Sequence, residues 1–173
     1  DPREFDNLGK IICFHKRYGL GDEKTETYEK DSDNFVRFIK RGQNAVYLPL
    51  YLFDHSGLTI SVDRGMFAAV DSHGWDWGLL GWIYVTREMI RNEFKVKRVN
   101  KKLIEQVKKI LTREVEIYNE FLHGEVYGYE VFDKEEEPID SCWGFFGDIS
   151  YPIQEAKEFI DRTETLKEIN GEG

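Results

Sequence analysis

Residues 71–86 read Asp-Ser-His-Gly-Trp-Asp-Trp-Gly-Leu-Leu-Gly-Trp-Ile-Tyr-Val-Thr, and this stretch is the most informative part of the chain. They contain three of the four tryptophans, two aspartates, a histidine and three glycines. The first half of the stretch suits neither a helix nor a strand, whereas residues 79–86 have the apolar and β-branched side chains typical of strands. Because binding and catalytic residues often lie on loops that a strand holds in place, the stretch predicts a strand preceded by a candidate site.

Three more strands are predicted upstream of this stretch. Residues 10–15, 46–53 and 58–62 have strand patterns, and the last two form a hairpin around a turn at 54–57. Pro49 has no backbone N–H to donate, so its strand must lie at an edge or at a bulge there.

Two shorter helices are predicted on either side of the upstream hairpin. Asp31 or Ser32 can cap a helix that Gly42 ends, and Thr86 can cap a short helix that reaches Phe94. In both cases the capping side chain accepts a hydrogen bond from a backbone N–H that the first helical turn leaves free.

The strongest helical pattern covers residues 101–123, with Asn100 as its capping residue. Its apolar side chains recur on one broad stripe, which is typical of a helix packed on a core. Glu114 falls inside that stripe. A buried carboxylate needs a partner, so Glu114 is either a paired core group or, as we expect, a residue at the stripe edge that reaches water.

The last third of the chain begins with a second predicted hairpin. Residues 126–133 and 139–146 have strand patterns and are separated by a charged loop at 134–138. Pro152 then lies in the first turn of a final helix, where its missing N–H is not needed. Residues 170–173 are expected to be a frayed end.

Hairpin-like strands with helices inserted and appended predict an α+β fold. We expect a largely antiparallel sheet of about five or six strands with three or four helices. The regular strand–helix alternation of a doubly wound parallel sheet is absent. A length of 173 residues predicts a single domain over residues 1–173.

Composition excludes several classes of protein. An apolar fraction of 40% is that of a globular chain rather than a disordered one. No apolar run approaches the roughly 18–20 residues of a membrane-spanning helix, so no membrane partner is expected. Cys13 and Cys142 are far apart and form no CxxC pair, which argues against structural zinc and favours free thiols in the cytoplasm.

The net charge of −9 is unevenly placed. Residues 87–113 hold ten Lys and Arg against three Glu, whereas residues 114–173 hold four Lys and Arg against seventeen Asp and Glu. Such a distribution is compatible with a bipolar surface, with a basic partner on the acidic side, or with neutralisation inside one fold.

Acidic and histidine side chains from two loops form the candidate catalytic or metal site: Asp54, His55, Asp71, His73 and Asp76. Converging oxygen and nitrogen ligands could hold a divalent cation, or pair a general base with an orienting carboxylate. This set underlies one alternative function, a metal-assisted hydrolase that acts on a phosphoester or a nucleotide. The same residue types are also preferred in turns, and no recognised metal or catalytic motif accompanies them, so we expect neither a cofactor nor a catalytic residue.

A basic segment at 95–113 supports a second alternative, direct binding of nucleic acid. Opposite the apolar stripe its helix would present five charges to a phosphate backbone: Lys101, Lys102, Lys108, Lys109 and Arg113. Three glutamates lie on the same arc and no aromatic residue is interleaved for base stacking. A solvated, partly salt-bridged helix face is therefore favoured over a nucleic-acid interface.

Short runs spread over most of the chain form a recognisable set: PREFDNLG at 2–9, CFHKRY at 13–18, LGD at 20–22, LPLY at 48–51, DHSG at 54–57, GWIYVT at 81–86 and GEVYGY at 124–129. Together they resemble a family of small uncharacterised proteins from phages and prophages. The resemblance implies a phage-borne protein in the cytoplasm of an infected cell, and it assigns no catalytic residue. Residues 72–78 depart from a Cys-Pro-Trp-Asp-Ser-Gly segment of that family, which weakens the case for a shared metal site.

The resemblance, the small size and the acidic last third favour an interaction protein. We expect it to modulate or inhibit a host nucleic-acid-handling or defence complex of the CRISPR type, as an anti-CRISPR protein would, by binding a host protein or ribonucleoprotein. Its predicted contacts are two tryptophans of the loop, at least one of them exposed, and three acids of the last helix: Trp75, Trp77, Glu155, Glu158 and Asp161.

Overall fold

The computed structural model describes residues 1–15, 17–22, 32–39 and 45–170, and it confirms an α+β fold. The strands are β1 (Lys10–Cys13), β2 (Ala45–Asp54), β3 (Leu58–Ser61), β4 (Trp77–Thr86), β5 (Val126–Phe132) and β6 (Pro138–Phe146). The helices are α1 (Ser32–Phe38), α2 (Arg64–Val70), α3 (Arg87–Glu93), α4 (Lys101–Leu122) and α5 (Ser150–Asn170), and a 3-10 turn covers Pro2–Glu4. Within the described ranges no helix is both long and apolar enough to cross a membrane.

Six strands and antiparallel pairing agree with the prediction, but the strands form two sheets rather than one. The chain divides into two compact units, Asp1–His123 and Gly124–Gly173. The first contains a four-stranded sheet and the second a two-stranded one. A single domain over the whole chain stays a prediction.

The sheet of the first unit has the order β1-β4-β2-β3, with every pair antiparallel. β3 pairs only with Tyr51–Asp54, so Pro49 lies where the described part of the chain places no strand on the outer side of β2. Its strand is therefore locally an edge, as proline requires. A register shift follows at Leu50/Tyr51. Gly81 of β4 lies between β1 and β2. A side chain at this position would overlap the carbonyl oxygen of Ile12, so only glycine fits there.

The two faces of this sheet are covered by different helices. One face packs on α4 through buried side chains that include Ile83 and Val85 of β4 and Leu111 and Val115 of the helix. The other face buries Ile12 together with residues of α1 and its end, Phe35 and Ile39. The sheet is therefore the middle layer of three, and its loops carry the residues that were predicted as a site.

Helix capping follows the prediction where the structure describes it. The Thr86 hydroxyl accepts a hydrogen bond from the N–H of Met89 at 3.2 Å, and the Asn100 side chain accepts one from Leu103 at 2.8 Å. α1 begins at Ser32, while Asp31 as a cap and Gly42 as a stop lie outside the described residues.

The described residues form five α-helices, one more than the upper end of the expected three or four. α2 is short and buries a single side chain, Phe67, so its sequence has no apolar stripe to reveal it. Its capping signal was present, since the Asp63 carboxylate accepts a hydrogen bond from the N–H of Gly65 at 2.8 Å.

Glu114 is a paired and largely buried group, and the expectation of a water-exposed edge position is wrong. Its side chain is 11% exposed and accepts hydrogen bonds from the backbone N–H groups of Leu8 and Gly9 at 2.8 and 3.0 Å. The Arg3 guanidinium lies 3.5 Å from it and donates to Asp22 at 2.8 Å. Loss of hydration raises the pKa of Glu114 despite these partners. The network ties the N-terminal segment to α4.

The second unit consists of the β5–β6 hairpin and α5. Tyr129 stacks on Phe145 with ring centroids 5.9 Å apart, and Phe145 meets Tyr151 edge-on at 5.4 Å. Pro152 lies in the first turn of α5, as predicted, and is buried. α5 includes Asn170, the first residue of the predicted frayed end at 170–173, and the remaining three residues lie outside the described part of the chain.

Candidate functional site

The loop before β4 is organised around one carboxylate. Asp71 accepts hydrogen bonds from the backbone N–H groups of His73 at 3.1 Å, Gly74 at 3.2 Å, Trp75 at 2.6 Å and Asp76 at 2.9 Å. These amides, that of Asp76 most of all, lower the pKa of Asp71 below its ordinary value, because they favour the charged form. Asp71 is therefore a structural residue of the loop, which its sequence position alone did not show.

The loop is joined directly to the turn after β2. The backbone N–H of Asp54 donates to the carbonyl oxygen of Asp76 at 2.7 Å, so the two carboxylate side chains lie in neighbouring positions. His55 Nδ1 lies 3.2 Å from Asp76 Oδ2. The Tyr18 hydroxyl donates to Asp54 Oδ2 at 2.7 Å, and this hydrogen bond is the largest cause of a raised pKa of Tyr18.

A cleft of about 340 Å³ opens beside these carboxylates. It is lined by residues of the loop, of β4 and of the upstream segments: His15, Leu52, Asp54, Trp75, Asp76, Trp77, Gly78 and Leu79. Trp75 is 86% exposed, which confirms that at least one loop tryptophan is on the surface. Trp77 is half-buried, and its indole N–H donates to the carbonyl oxygen of Asp71 at 2.8 Å.

Three of the five residues predicted as metal ligands come together, namely Asp54, His55 and Asp76. Asp71 is engaged by amides, and His73 is exposed with its Nδ1 3.4 Å from the Ser72 hydroxyl. Within the residues that the structure describes, no group of three or more His, Cys, Asp or Glu is placed to hold a metal ion. The geometry of the described residues therefore gives the metal-hydrolase alternative no support.

The basic residues of α4 divide into paired and unpaired side chains. Lys108 forms an ion pair with Glu105 at 3.0 Å, and Arg113 contacts Glu116 at 3.2 Å and Glu120 at 3.1 Å. Three exposed lysines have no ion pair with any described residue: Lys101, Lys102 and Lys109. The paired members match the salt-bridged face that the sequence favoured.

The net negative charge of the chain comes from the second unit. Residues 124–173 hold four Lys and Arg against fourteen Asp and Glu, whereas residues 1–123 hold twenty against nineteen. On α5, Glu158 and Asp161 are exposed and Glu155 is half-buried. Glu155 is also the largest cause of a raised pKa of Tyr151, through its negative charge. All three predicted acids thus lie on one helix of a strongly anionic unit.

The same unit exposes much apolar surface. Of thirteen large hydrophobic side chains that are exposed in the described chain, eight lie in it: Val126, Phe132, Ile139, Trp143, Ile149, Tyr151, Ile153 and Ile160. Trp143 is 69% exposed and its indole lies over Gly128, where a side chain would overlap the ring. Sequence reasoning missed Trp143, although an aromatic residue facing glycine across a predicted hairpin was a usable signal.

Two further residues beside the cleft were missed as well. The Arg17 guanidinium lies over the Tyr18 ring at 5.1 Å and reaches Asp54 Oδ2 at 3.6 Å. Both residues come from a segment far from the loop in sequence, and nothing in their local pattern pointed to the carboxylates.

Comparison with known proteins leaves the function open. The chain matches no family model, no curated protein and no solved structure. The resemblance to phage proteins accordingly stays a prediction.

Proposed function

We propose that this protein is an interaction protein that binds a basic surface of a macromolecular partner through its second unit, residues 124–173. The observation that carries the proposal is the concentration of uncompensated acidic charge and exposed apolar side chains in the same fifty residues. Neither property is explained by the packing inside the unit.

Charge and apolar surface have complementary roles in such binding. Carboxylates on α5 attract a basic partner from a distance and orient it, and this effect raises the association rate. Desolvated aromatic and aliphatic side chains then supply most of the affinity. Trp143, exposed on the hairpin, is the side chain with the largest apolar area to contribute.

A complex that handles nucleic acid fits this chemistry as a partner. Its binding channel is basic because it must neutralise phosphates, and an acidic protein can compete for that channel. The resemblance to phage proteins favours a host defence complex of the CRISPR type, inhibited in the cytoplasm of the infected cell. Direct binding of nucleic acid by the anionic unit is disfavoured by charge repulsion.

A pull-down with charge-matched variants tests the proposal. The full-length chain is immobilised in three forms and incubated with a bacterial lysate treated with DNase. The forms are the wild type, a triple variant with Glu155→Gln, Glu158→Gln and Asp161→Asn, and a control with Glu88→Gln, Glu93→Gln and Glu105→Gln. The control makes the same change in formal charge at exposed positions of the first unit.

We expect a basic protein or ribonucleoprotein to be retained by the wild type and the control and to be lost from the triple variant. Retention of the same partner by all three forms would contradict the proposal. Retention only of acidic proteins would contradict it as well.

A further inference from the structure

We propose that the cleft beside Trp75 binds the guanidinium group of an arginine side chain presented by a peptide segment of a partner. The cleft lies in the first unit and shares no residue with the acidic second unit. The inference therefore goes beyond the proposed function and can fail or succeed independently of it.

Two carboxylates in the cleft have unused acceptor atoms. Asp54 and Asp76 are held next to each other by the backbone hydrogen bond between them, and their side chains are 41% and 44% exposed. The Oδ2 atoms contact Tyr18, Arg17 and His55. The Oδ1 atom of each has no hydrogen-bond partner among the described residues, so both can accept from a ligand that carries several N–H donors.

Two indoles form apolar walls beside these acceptors. Trp75 offers its exposed ring, while Trp77 is fixed by its hydrogen bond to Asp71 and by an edge contact to Tyr51 at 6.2 Å. The four hydrogen bonds that Asp71 accepts from backbone N–H groups fix the backbone from which Trp75 projects. A site whose backbone is already ordered loses less entropy when a ligand binds.

The charge of the cleft selects a cation. Among the described residues, the one permanent cation that contacts either carboxylate is Arg17, which lies 3.6 Å from Asp54 and whose side chain is 75% exposed. A phosphate or a carboxylate ligand would be repelled by the two Asp Oδ1 atoms, which carry negative charge and have no described partner. A cleft of about 340 Å³ is within the range of small-ligand sites, roughly 300–1,000 Å³.

The planar shape of a guanidinium group suits this cleft better than the compact shape of an ammonium group. A guanidinium group donates through a flat fork that can reach two carboxylate oxygens while its face stacks on an aromatic ring, whereas an ammonium group acts as a point charge. Two arginines of the chain already lie over aromatic rings near the cleft. Arg17 lies over Tyr18, and Arg64 lies over Trp77 at 5.3 Å.

A peptide rather than a free compound supplies the guanidinium group, because Trp75 projects almost entirely into solvent. Exposed tryptophan is enriched at the centres of protein interfaces and offers more contact area than a free guanidinium compound could use.

Nuclear magnetic resonance titration of the full-length chain tests the inference. The probes are acetyl-Gly-Arg-Gly-amide and its counterparts with lysine or with citrulline, the neutral analogue of arginine with nearly the same shape. The readout is the indole N–H signals of Trp75 and Trp77, with that of Trp143 as an internal reference outside the cleft.

We expect saturable shifts of the two loop indoles with the arginine peptide at millimolar concentrations. Binding of the citrulline and lysine peptides should be weaker by about tenfold or more. Citrulline lacks the positive charge, and lysine lacks the planar pair of N–H donors. The variant with Asp54→Asn and Asp76→Asn should lose affinity by a similar factor, whereas Glu88→Gln with Glu105→Gln should not.

Thermal unfolding of each variant shows whether it still folds. Should the double variant fail to fold, Trp75→Ala replaces it, because this side chain makes little contact with the rest of the protein. Equal binding of the three peptides, no shift of the loop indoles, or unchanged affinity in a folded variant would each overturn the inference.

Discussion

Two pairs of acidic side chains in the first unit lie in opposite environments. The side chains of Asp22 and Glu114 are 20% and 11% exposed, and Arg3 together with backbone N–H groups occupies their oxygens. Asp54 and Asp76 are nearly half exposed, and each keeps one oxygen without a described partner. The first pair fixes a segment of the fold and the second presents acceptors to solvent. In the first pair both carboxylate oxygens have partners, whereas in the second pair one oxygen of each carboxylate remains available to a ligand.

The strongest test of this difference is to remove the Glu114 carboxylate. Glu114→Ala takes away the acceptor of the Leu8 and Gly9 amides and part of the compensation of Arg3. Because two part-buried backbone N–H groups lose their acceptor while Arg3 keeps Asp22, we expect the free energy of unfolding to fall by about 3 kcal/mol, as measured by chemical denaturation.

Glu116→Ala is the matched control on the same helix. Its side chain is 54% exposed, and its ion pair with Arg113 lies on the surface, so we expect a change within about 1 kcal/mol. Similar losses for the two variants would remove the distinction between buried and exposed carboxylates.

The two loop tryptophans sharpen the comparison at the cleft. Trp77→Ala removes a half-buried ring and its hydrogen bond to Asp71, and we expect a loss of about 2 kcal/mol, below the 3–5 kcal/mol of a fully buried tryptophan. Trp75→Ala should change stability by no more than about 0.5 kcal/mol. Thermal and chemical unfolding of both variants provide the check. A large loss for Trp75→Ala would mean that its ring packs on the protein rather than facing solvent.

We expect a smaller effect on stability when Asp71 of the loop is protonated at low pH. The pKa of Asp71 lies below its ordinary value of 3.8 because four amides donate to the charged form. The unfolded chain therefore takes up its proton first as the pH falls. The stabilising contribution of Asp71 is present above the ordinary value and is lost as the pH falls through the lowered pKa.

Carboxyl carbon chemical shifts measure this titration directly. We expect the amide signals of Trp75 and Asp76 to change with the same midpoint as the Asp71 carboxyl. A midpoint at or above 3.8 would show that the amides do not stabilise the charged form.

Local patterns were enough to predict most of the fold. Strand alternation located β2, β3, β5 and β6, and the capping residues Thr86 and Asn100 marked the starts of α3 and α4. Such features depend on residues close together in sequence, so they can be read without knowing the tertiary structure. α2 was missed because it buries one side chain only, and the separation into two sheets was missed because register between distant strands is not local.

The site was predicted only in part for the same reason. The loop residues were recognisable by type, and Asp54, His55 and Asp76 are indeed adjacent. The capture of Asp71 by four amides depends on the backbone path, and the approach of Tyr18 to Asp54 spans 36 positions. Glu114 was misplaced because its partner Arg3 lies at the other end of the unit's sequence and no periodic pattern connects them.

The proposal that the acidic second unit binds a basic partner is tested most directly by the salt dependence of that binding. The dissociation constant of the recovered partner is measured against sodium chloride concentration for the wild type and for the triple variant at Glu155, Glu158 and Asp161. Our account predicts that the affinity of the wild type falls steeply as salt is raised and that the variant binds more weakly with a shallower dependence. Affinity that is independent of salt, or equal slopes for the two proteins, would contradict it.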